Sequence, residues 1–444
     1  MPSVAKLINH LPFASTSSQE EALGGIEDFL SDPSQDFFIL RGAAGTGKTS
    51  LTKAISQFLF DDQRRFELVA PTGRAARIIR RKTKFRARTI HNLIYTVEQL
   101  EGRPGVRMNR RLNKAEDPLV IIVDEASMIS DTSSNSKNFI TPGPLLTDLI
   151  DYSLRGPSGS KMIFIGDPCQ LPPVNDEFSS ALDEHYLRDS FGLDGQSCEL
   201  KEVMRQSADS PVLDMAQVLR NGIESGIMLS MGMIKDRLVK EDPLVEQYFA
   251  GRDISDDRAV LLAWRNLDVN KLNNTVRQRL GFGDTVLMPG DQILTQRPYY
   301  NGGRFLAGGE TGRVLETGSV EHVAGLDFLQ ARLQFTESDD TFREIDTLVN
   351  LNVLCSERGL LNQEQEKTLY ASAMRNNKAY RESQKESDDA YLGAIRIRYG
   401  YAMTVHKAQG SEWDFVFLHP YMPNNFRWLY TAVTRARVRV ATEY

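Results

Sequence analysis

The sequence predicts an α/β protein of two doubly wound domains, the first interrupted by a β-hairpin and the second by a small β-rich insertion. Short, almost wholly apolar runs alternate with amphipathic helical stretches through the first half, as buried parallel strands and their crossover helices require. A glycine-rich GAAGTGKT segment stands directly between the first such run and the first such helix. After Gly281 this alternation stops, glycine pairs and period-two runs take over, and it resumes at Tyr399.

Taken in order, DFFIL (36–40), FELVA (66–70), PLVIIVDE (118–125) and KMIFIG (161–166) read as strands, each ending in a polar or glycine-containing turn. Between the first two, Leu51, Ala54, Ile55, Phe58 and Leu59 fall on one face at helical spacing. Thr96–Asn109 has alternating flanks around Gly-Arg-Pro-Gly and predicts a protruding hairpin, in an insertion of about 94–118. Ser130–Pro144 is polar and contains glycine and proline, which predicts a surface loop. The first domain is expected over 1–200. The second takes 201–280, with a strand in 258–264 and a helix after it, and resumes over 399–444. Residues 281–398, with runs such as GRVLETG and ARLQFT, are expected to form the inserted antiparallel β domain.

With 444 residues the chain is long enough for two or three domains. No apolar run approaches the roughly 18 residues that span a bilayer. The first residues lack the apolar centre of a signal peptide, so a cytoplasmic protein with no membrane partner is expected. Cys169, Cys198 and Cys355 have no paired spacing and are expected as reduced thiols. A net charge of −6 argues against a protein that coats nucleic acid indiscriminately. Eight basic and no acidic residues nevertheless lie between Arg74 and Arg88. That run reads equally as a solvated helix face and as a phosphate-binding patch.

The GAAGTGKT segment, Gly42, Ala43, Ala44, Gly45, Thr46, Gly47, Lys48 and Thr49, with Ser50 behind it, has the composition of a phosphate cradle. Glycines let backbone N–H groups approach the phosphates, a helix N-terminus adds favourable partial charge, Lys48 reaches the terminal phosphates, and Thr49 can ligate Mg²⁺. In IIVDEAS, Asp124 at a strand end is the candidate to hold Mg²⁺ and Glu125 to deprotonate the attacking water. In GDPCQLPPV, Gln170 follows another strand end, where an amide can touch both a γ-phosphate and a water. Arg205 stands where the first domain gives way to the second, and Arg435 between a late helix and the last strand; such arginines can neutralise transition-state charge across a cleft. Near the chain's end, TVHKAQGSE places Thr404, His406, Gln409, Gly410 and Glu412 between two apolar runs.

The ordered set GAAGTGKT, APTGRAA, TIHNL, VDEASM, GDPCQLPPV, VMRQ, TVHKAQGSE and YTAVTRA resembles that of superfamily 1 DNA helicases, specifically the 5′-to-3′ subgroup of RecD-like and phage Dda-type enzymes. The resemblance covers Gln19 to Val440. It implies two RecA-like P-loop domains with ATP in the cleft between them, the hairpin in the first, and a small Src-homology-3-like β-barrel inserted in the second. It further implies that Gln19 reads adenine and that Lys48, Glu125, Gln170, Arg205 and Arg435 serve catalysis. Gln409, Gly410 and Glu412 would face ATP, with Thr49 and Asp124 on Mg²⁺. Pro71, Thr72, Gly73, Arg74, Thr89 and His91, with Thr404 and His406, would follow single-stranded DNA.

The function so implied is an ATP hydrolase that moves 5′-to-3′ along single-stranded DNA and parts the duplex at a fork. It would act as a monomer in replication, repair or recombination, beside single-strand-binding or replication and recombination proteins. A translocase that strips proteins from single strands, an ATP-switched DNA clamp and a P-loop ATPase acting on another protein are the alternatives.

Overall fold

The computed structural model describes residues 7–100, 105–133, 139–203, 210–226, 238–241, 243–250, 258–283, 285–301, 304–337 and 341–443. A six-stranded, wholly parallel sheet organises the first part, in the order Ala87–Thr89, Arg65–Ala70, Leu119–Val123, Lys161–Gly166, Phe37–Gly42, Gly195–Leu200. Its inner strands Leu119–Val123, Lys161–Gly166 and Phe37–Gly42 are almost wholly apolar and buried because helices cover both faces. Ile39, Val123 and Phe164 point into a core with Leu146, Leu149 and Leu187, while Leu40, Ile122 and Ile165 point into another with Leu23, Ile26, Leu51 and Ile55.

A second parallel sheet runs Val239–Glu241, Ala436–Glu443, Trp413–Leu418, Ala259–Ala263, Ala402–Thr404. Its core includes Trp413, Trp428 and Leu429 from its own elements, and also Cys169 and Leu171 from the turn after Lys161–Gly166 of the first sheet. That turn is held by hydrogen bonds as well. Tyr430 donates its hydroxyl to Asp167 at 2.6 Å, the Leu171 N–H donates to Thr431 Oγ1 at 2.8 Å, and Gln409 Nε2 donates to the Leu171 carbonyl at 2.8 Å. Arg427 adds a bond to the Pro168 carbonyl. A segment of one sheet thus finishes inside the packing of the other.

A five-stranded antiparallel sheet, Phe342–Asn350, Leu326–Thr336, Thr311–Val323, Gln292–Thr295, Ile397–Tyr399, separates the two halves of the second parallel sheet in sequence. Tyr399, expected to reopen the α/β block, therefore ends a strand of this sheet, and the parallel sheet resumes at Ala402. The insertion is not wholly β. Helices Leu351–Cys355, Gln363–Asn376 and Lys378–Ser383 follow the strands, and Leu369, Ala373 and Tyr380 pack on Leu326 and Phe328. The local signals for the longest of these helices are plain: Asn362 and Gln365 form a capping box, and Leu369 and Ala373 lie one turn apart.

The strand pair Tyr95–Gln99 and Val106–Arg110 is antiparallel, with Thr96 opposite Asn109; its connecting residues 101–104 lie outside the described set. In the segment expected as a surface loop, Phe139–Ile140 add a short parallel strand to this pair, because Phe139 finds cover against its aromatic residues. The helical part of the insertion braces the pair: Ser387 donates to Gln99 Oε1 at 2.8 Å, and the Gly105 N–H donates to Glu386 at 3.2 Å. Among the described residues no helix is long and apolar enough to cross a membrane, and the three cysteines are unpaired thiols.

Removing the Tyr430 hydroxyl leaves a buried Asp167 oxygen without its donor, which costs about 1–3 kcal/mol. Tyr430→Phe is expected to lower the urea unfolding midpoint accordingly; an unchanged midpoint would show that the turn is held by packing alone.

Candidate functional site

Where Phe37–Gly42 gives way to the helix Lys48–Asp61, the chain must turn within a few residues without side chains crowding its N–H groups. Gly45 (φ +81°) and Gly47 (φ +89°, the helix N-cap) supply left-handed backbone that other residues rarely adopt. A Cβ at Gly42 would meet Thr46 Oγ1 at 2.6 Å and Leu200 Cβ at 3.1 Å, so the loop closes only on glycine there. Lys48 Nζ folds back and donates to the carbonyls of Gly42 (2.7 Å) and Ala43 (2.8 Å), which centres its charge in the loop. Gln19 stands behind the loop, not before it. Its amide completes a capping box with Thr16 and donates to the Thr46 carbonyl at 3.0 Å, and it is fully buried. Its carboxamide is thus turned to supporting the cradle; Pro12 and Phe13, which the sequence reading passed over, line the cleft beside it.

The cleft, about 720 Å³, is closed by elements of both parallel sheets. From the first come Ala43, Ala44, Gly45, Gly47, Lys48, Thr49, Ser50, Asp124, Glu125 and Gln170. Asp124 Oδ1 accepts from the Glu125 N–H at 2.9 Å. Burial, reinforced by the Glu125 charge, pushes the Asp124 carboxyl above the usual carboxylate range, with Lys48 and Lys82 opposing the shift. Glu125 sits at φ +52°, a left-handed conformation seldom taken by a non-glycine residue, which turns its side chain off the strand direction. Gln170 is 4% exposed, and its Oε1 has no hydrogen-bond partner among the described residues although it borders the cleft.

The opposite wall carries Gly410, Glu412, Thr434, Arg435 and Arg437. Arg435 is buried and aimed by backbone carbonyls, donating to Thr431 (3.1 Å) and Ser411 (3.1 Å). Glu412 reaches across the cleft to Lys82 at 2.8 Å. Burial raises the Glu412 carboxyl, but Lys82, Arg435 and Arg437 outweigh it and leave the group below its ordinary range. Gly410 adopts φ +68° close to the first sheet's elements; a Cβ there would meet Ala75 Cβ at 3.0 Å. Gln409, expected at the nucleotide, is not part of the cleft wall: its amide is committed to the Leu171 carbonyl. Arg205 lies outside the described residues.

A second group gathers at the ends of Arg65–Ala70 and Ala87–Thr89. Pro71 is half-buried, Thr72 Oγ1 caps the basic helix Gly73–Thr83, and Thr89 Oγ1 caps Ile90–Ile94. Gly73, Thr89 and His91 share a cavity of about 360 Å³ with Tyr95, Thr96, Tyr300, Phe305 and Glu310, so it lies between the first domain's strand ends, the hairpin and the insertion. Arg74 departs from this group. Its guanidinium stacks 4.1 Å over the Trp413 ring of the second sheet, an interdomain contact in place of the exposed phosphate contact expected. Thr404 precedes the short helix Val405–Ala408, with half-buried His406 on it, and burial lowers the pKa of His406.

Residues 30–176 match the AAA domain family, and 399–441 match the UvrD-like helicase C-terminal domain. The chain is 28% identical over 419 residues to the ATP-dependent RecD2 DNA helicase of Deinococcus radiodurans, covering 90% of this chain and 46% of that protein. It is 27% identical over 272 residues to the ATP-dependent DNA helicase dda of Enterobacteria phage T4, covering 59% of this chain and 56% of that one. The chain thus spans about half the length of these curated relatives. The fold is similar to that of Pif1 helicase from Bacteroides in complex with ADP-AlF3 and ssDNA, with TM-score 0.51, 17% identity and coverage of 97% of this chain and 93% of that one. Candida albicans Pif1 helicase follows at TM-score 0.50 and 17% identity, covering 97% and 94%. The RecD2 and Dda similarities agree with the superfamily 1 resemblance of the motifs, and the Pif1 similarity is one of fold.

His91 supplies a test of the second group. Its ring packs beside Tyr95 (5.7 Å) and Phe139 (6.4 Å), and burial lowers its pKa to about 4. The unfolded chain, with an imidazole pKa of about 6.5, binds the proton first as pH falls. The stability contributed by neutral His91 is therefore complete above that value and lost as pH drops toward 4. His91→Gln is expected to show a smaller fall in urea midpoint between about pH 7 and pH 5 than the parent. Equal falls would place His91 in a solvated setting.

Proposed function

We propose that this chain is an ATP-driven motor that moves 5′-to-3′ along single-stranded DNA and separates duplex at a fork. The observation that carries the proposal is the Asp167–Leu171 turn, which presents a buried, partly unsatisfied Gln170 to the phosphate cleft while its neighbours are bonded into the second sheet. A change at the cleft has a direct mechanical route to the other domain. The RecD2, Dda and Pif1 relatives support ATP as the fuel and DNA as the track.

The cleft residues fit a nucleotide triphosphate with Mg²⁺. A hydroxyl from Thr49 and a carboxylate from Asp124 are hard oxygen ligands, and Mg²⁺ characteristically takes only one or two carboxylates beside phosphate oxygens and water. The clustering of Asp124 and Glu125 is relieved by a divalent cation, which would neutralise phosphate charge when bound. Lys48 and the loop N–H groups orient the phosphates. Glu125 accepts the proton of the attacking water, Gln170 Oε1 accepts a hydrogen bond from that water, and Arg435 neutralises charge from the far wall. Arg205 is assigned the companion role from its motif.

In this reading residues 1–200 form the first RecA-like domain, 201–280 and 399–444 the second, and 281–398 the counterpart of the Src-homology-3-like insertion, here extended by helices. Pro71, Thr72, Gly73, Thr89 and His91, with Thr404 and His406, contact the strand, and the braced hairpin parts the duplex. The helices behind the hairpin favour unwinding over mere translocation, because a strand-separating element must resist load.

Duplexes bearing a 5′ or a 3′ single-stranded tail test the proposal: ATP-dependent separation of the 5′-tailed substrate is expected, and preference for the 3′ tail or no separation would refute it. Lys48→Ala removes charge-assisted phosphate contacts, so nucleotide affinity should fall roughly ten- to a hundredfold. Glu125→Gln keeps the shape but not the basicity, so binding should persist while kcat falls about a hundred- to ten-thousandfold. Nucleotide titration with steady-state hydrolysis separates the two, and normal turnover in Glu125→Gln would remove its assigned role.

A further inference from the structure

An aromatic pair beyond the carboxyl ends of two interior strands of the second sheet belongs to neither group of residues described above. Trp264 follows the strand Ala259–Ala263 and Tyr421 follows Trp413–Leu418; these strands are neighbours, so the two loops emerge side by side. The rings stack at 5.6 Å between centroids and 23° between planes, yet Trp264 remains 40% and Tyr421 48% exposed. Arg265 lies 3.9 Å over the Tyr421 ring and is itself fixed by two hydrogen bonds to buried Asp268 (2.7 and 2.9 Å). The backbone is tied too, with the His419 N–H donating to the Leu262 carbonyl at 2.9 Å and the Tyr421 N–H to His419 Nδ1 at 3.2 Å. Two large rings are thus held rigid and solvent-facing, although exposing them forgoes the free energy of their burial.

Position identifies what such a surface suits. In the sheet register Ala263 is the partner of Thr404, so Trp264 stands one residue beyond the level of the proposed DNA contact, at the same strand ends. Tyr421 is engaged by both the Trp264 ring and the Arg265 guanidinium, and the indole keeps 40% of its surface exposed. We propose that Trp264, backed by Tyr421 and Arg265, is a stacking platform for an unpaired base of the strand that passes Thr404. This rests on the reading of the chain as a single-stranded DNA motor and adds a grip on the base, which tolerates any sequence because every base has a π-face. Two rings and one guanidinium are small for a protein interface, whereas one exposed ring suffices for stacking on a single base.

The chain has three tryptophans, and Trp413 and Trp428 are buried, so comparison of the parent with Trp264→Phe assigns an emission change on DNA binding to Trp264. Oligo(dT) is expected to quench the intrinsic fluorescence of the parent protein, and Trp264→Phe to abolish the quench while keeping most of the affinity. Trp264→Ala should weaken oligo(dT) binding, measured by anisotropy, roughly five- to a hundredfold. An abasic strand of equal length should bind the parent and Trp264→Ala alike. Oligo(dT) that binds without quenching, or with equal affinity to Trp264→Ala, would overturn the platform and leave the motor reading standing; quenching by oligo(rU) but not oligo(dT) would overturn the assignment to DNA. Failure of the parent to bind any single strand would instead overturn the reading beneath it.

Discussion

The backbone between Asp167 and Leu171 leaves one sheet and has its hydrogen bonds and its packing completed by another. Tyr430, Thr431 and Gln409 bond its polar groups, and Trp413, Trp428 and Leu429 share a core with Cys169 and Leu171. Burying the amides and carboxylate of a turn is tolerable only when each finds a partner. The second sheet supplies those partners, so the two α/β layers are not free to drift apart at this point. Gln170, in the middle of the turn, is the residue left facing the cleft.

Other contacts across the cleft are of a different kind. The Lys82–Glu412 pair is partly exposed, and such ion pairs contribute about 0–1 kcal/mol. Arg74 stacks on Trp413 through a single cation–π contact, and Gly410 allows close approach to Ala75. The cleft therefore has one firm hinge-like joint at the Asp167–Leu171 turn and a weaker contact at its rim. That combination suits a site whose walls move apart and together while staying connected, with binding at the cleft shifting a balance between arrangements.

Much of this was legible where the physics is local. The phosphate loop is read from Gly42–Thr49 because its geometry is fixed by glycines within eight positions, and the parallel strands from runs apolar on both faces. What sequence did not disclose depends on residues far apart: Gln409 and Leu171 are 238 residues apart, and Lys82 and Glu412 are 330 apart. Arg74 reads as one more cation in a basic run until Trp413 is placed over it. Gln19 lies within its helix cap, so its commitment to the Thr46 carbonyl follows only from the packed loop. The helix Gln363–Asn376 is another matter, since its cap and apolar spacing were available and the surrounding β pattern outweighed them.

On the proposed function, the Asp167–Leu171 turn carries free energy between nucleotide and DNA. Coupling between two binding sites is reciprocal, so a non-hydrolysable ATP analogue must change DNA affinity by the same factor that DNA changes analogue affinity. Fluorescence anisotropy on labelled single-stranded DNA, with and without analogue, together with analogue titration with and without DNA, measures both factors. They are predicted to be equal and different from one in the parent, and to shrink together toward one in Gln409→Ala, which loses the bond to the Leu171 carbonyl. A full, unchanged coupling factor in Gln409→Ala would contradict the claim.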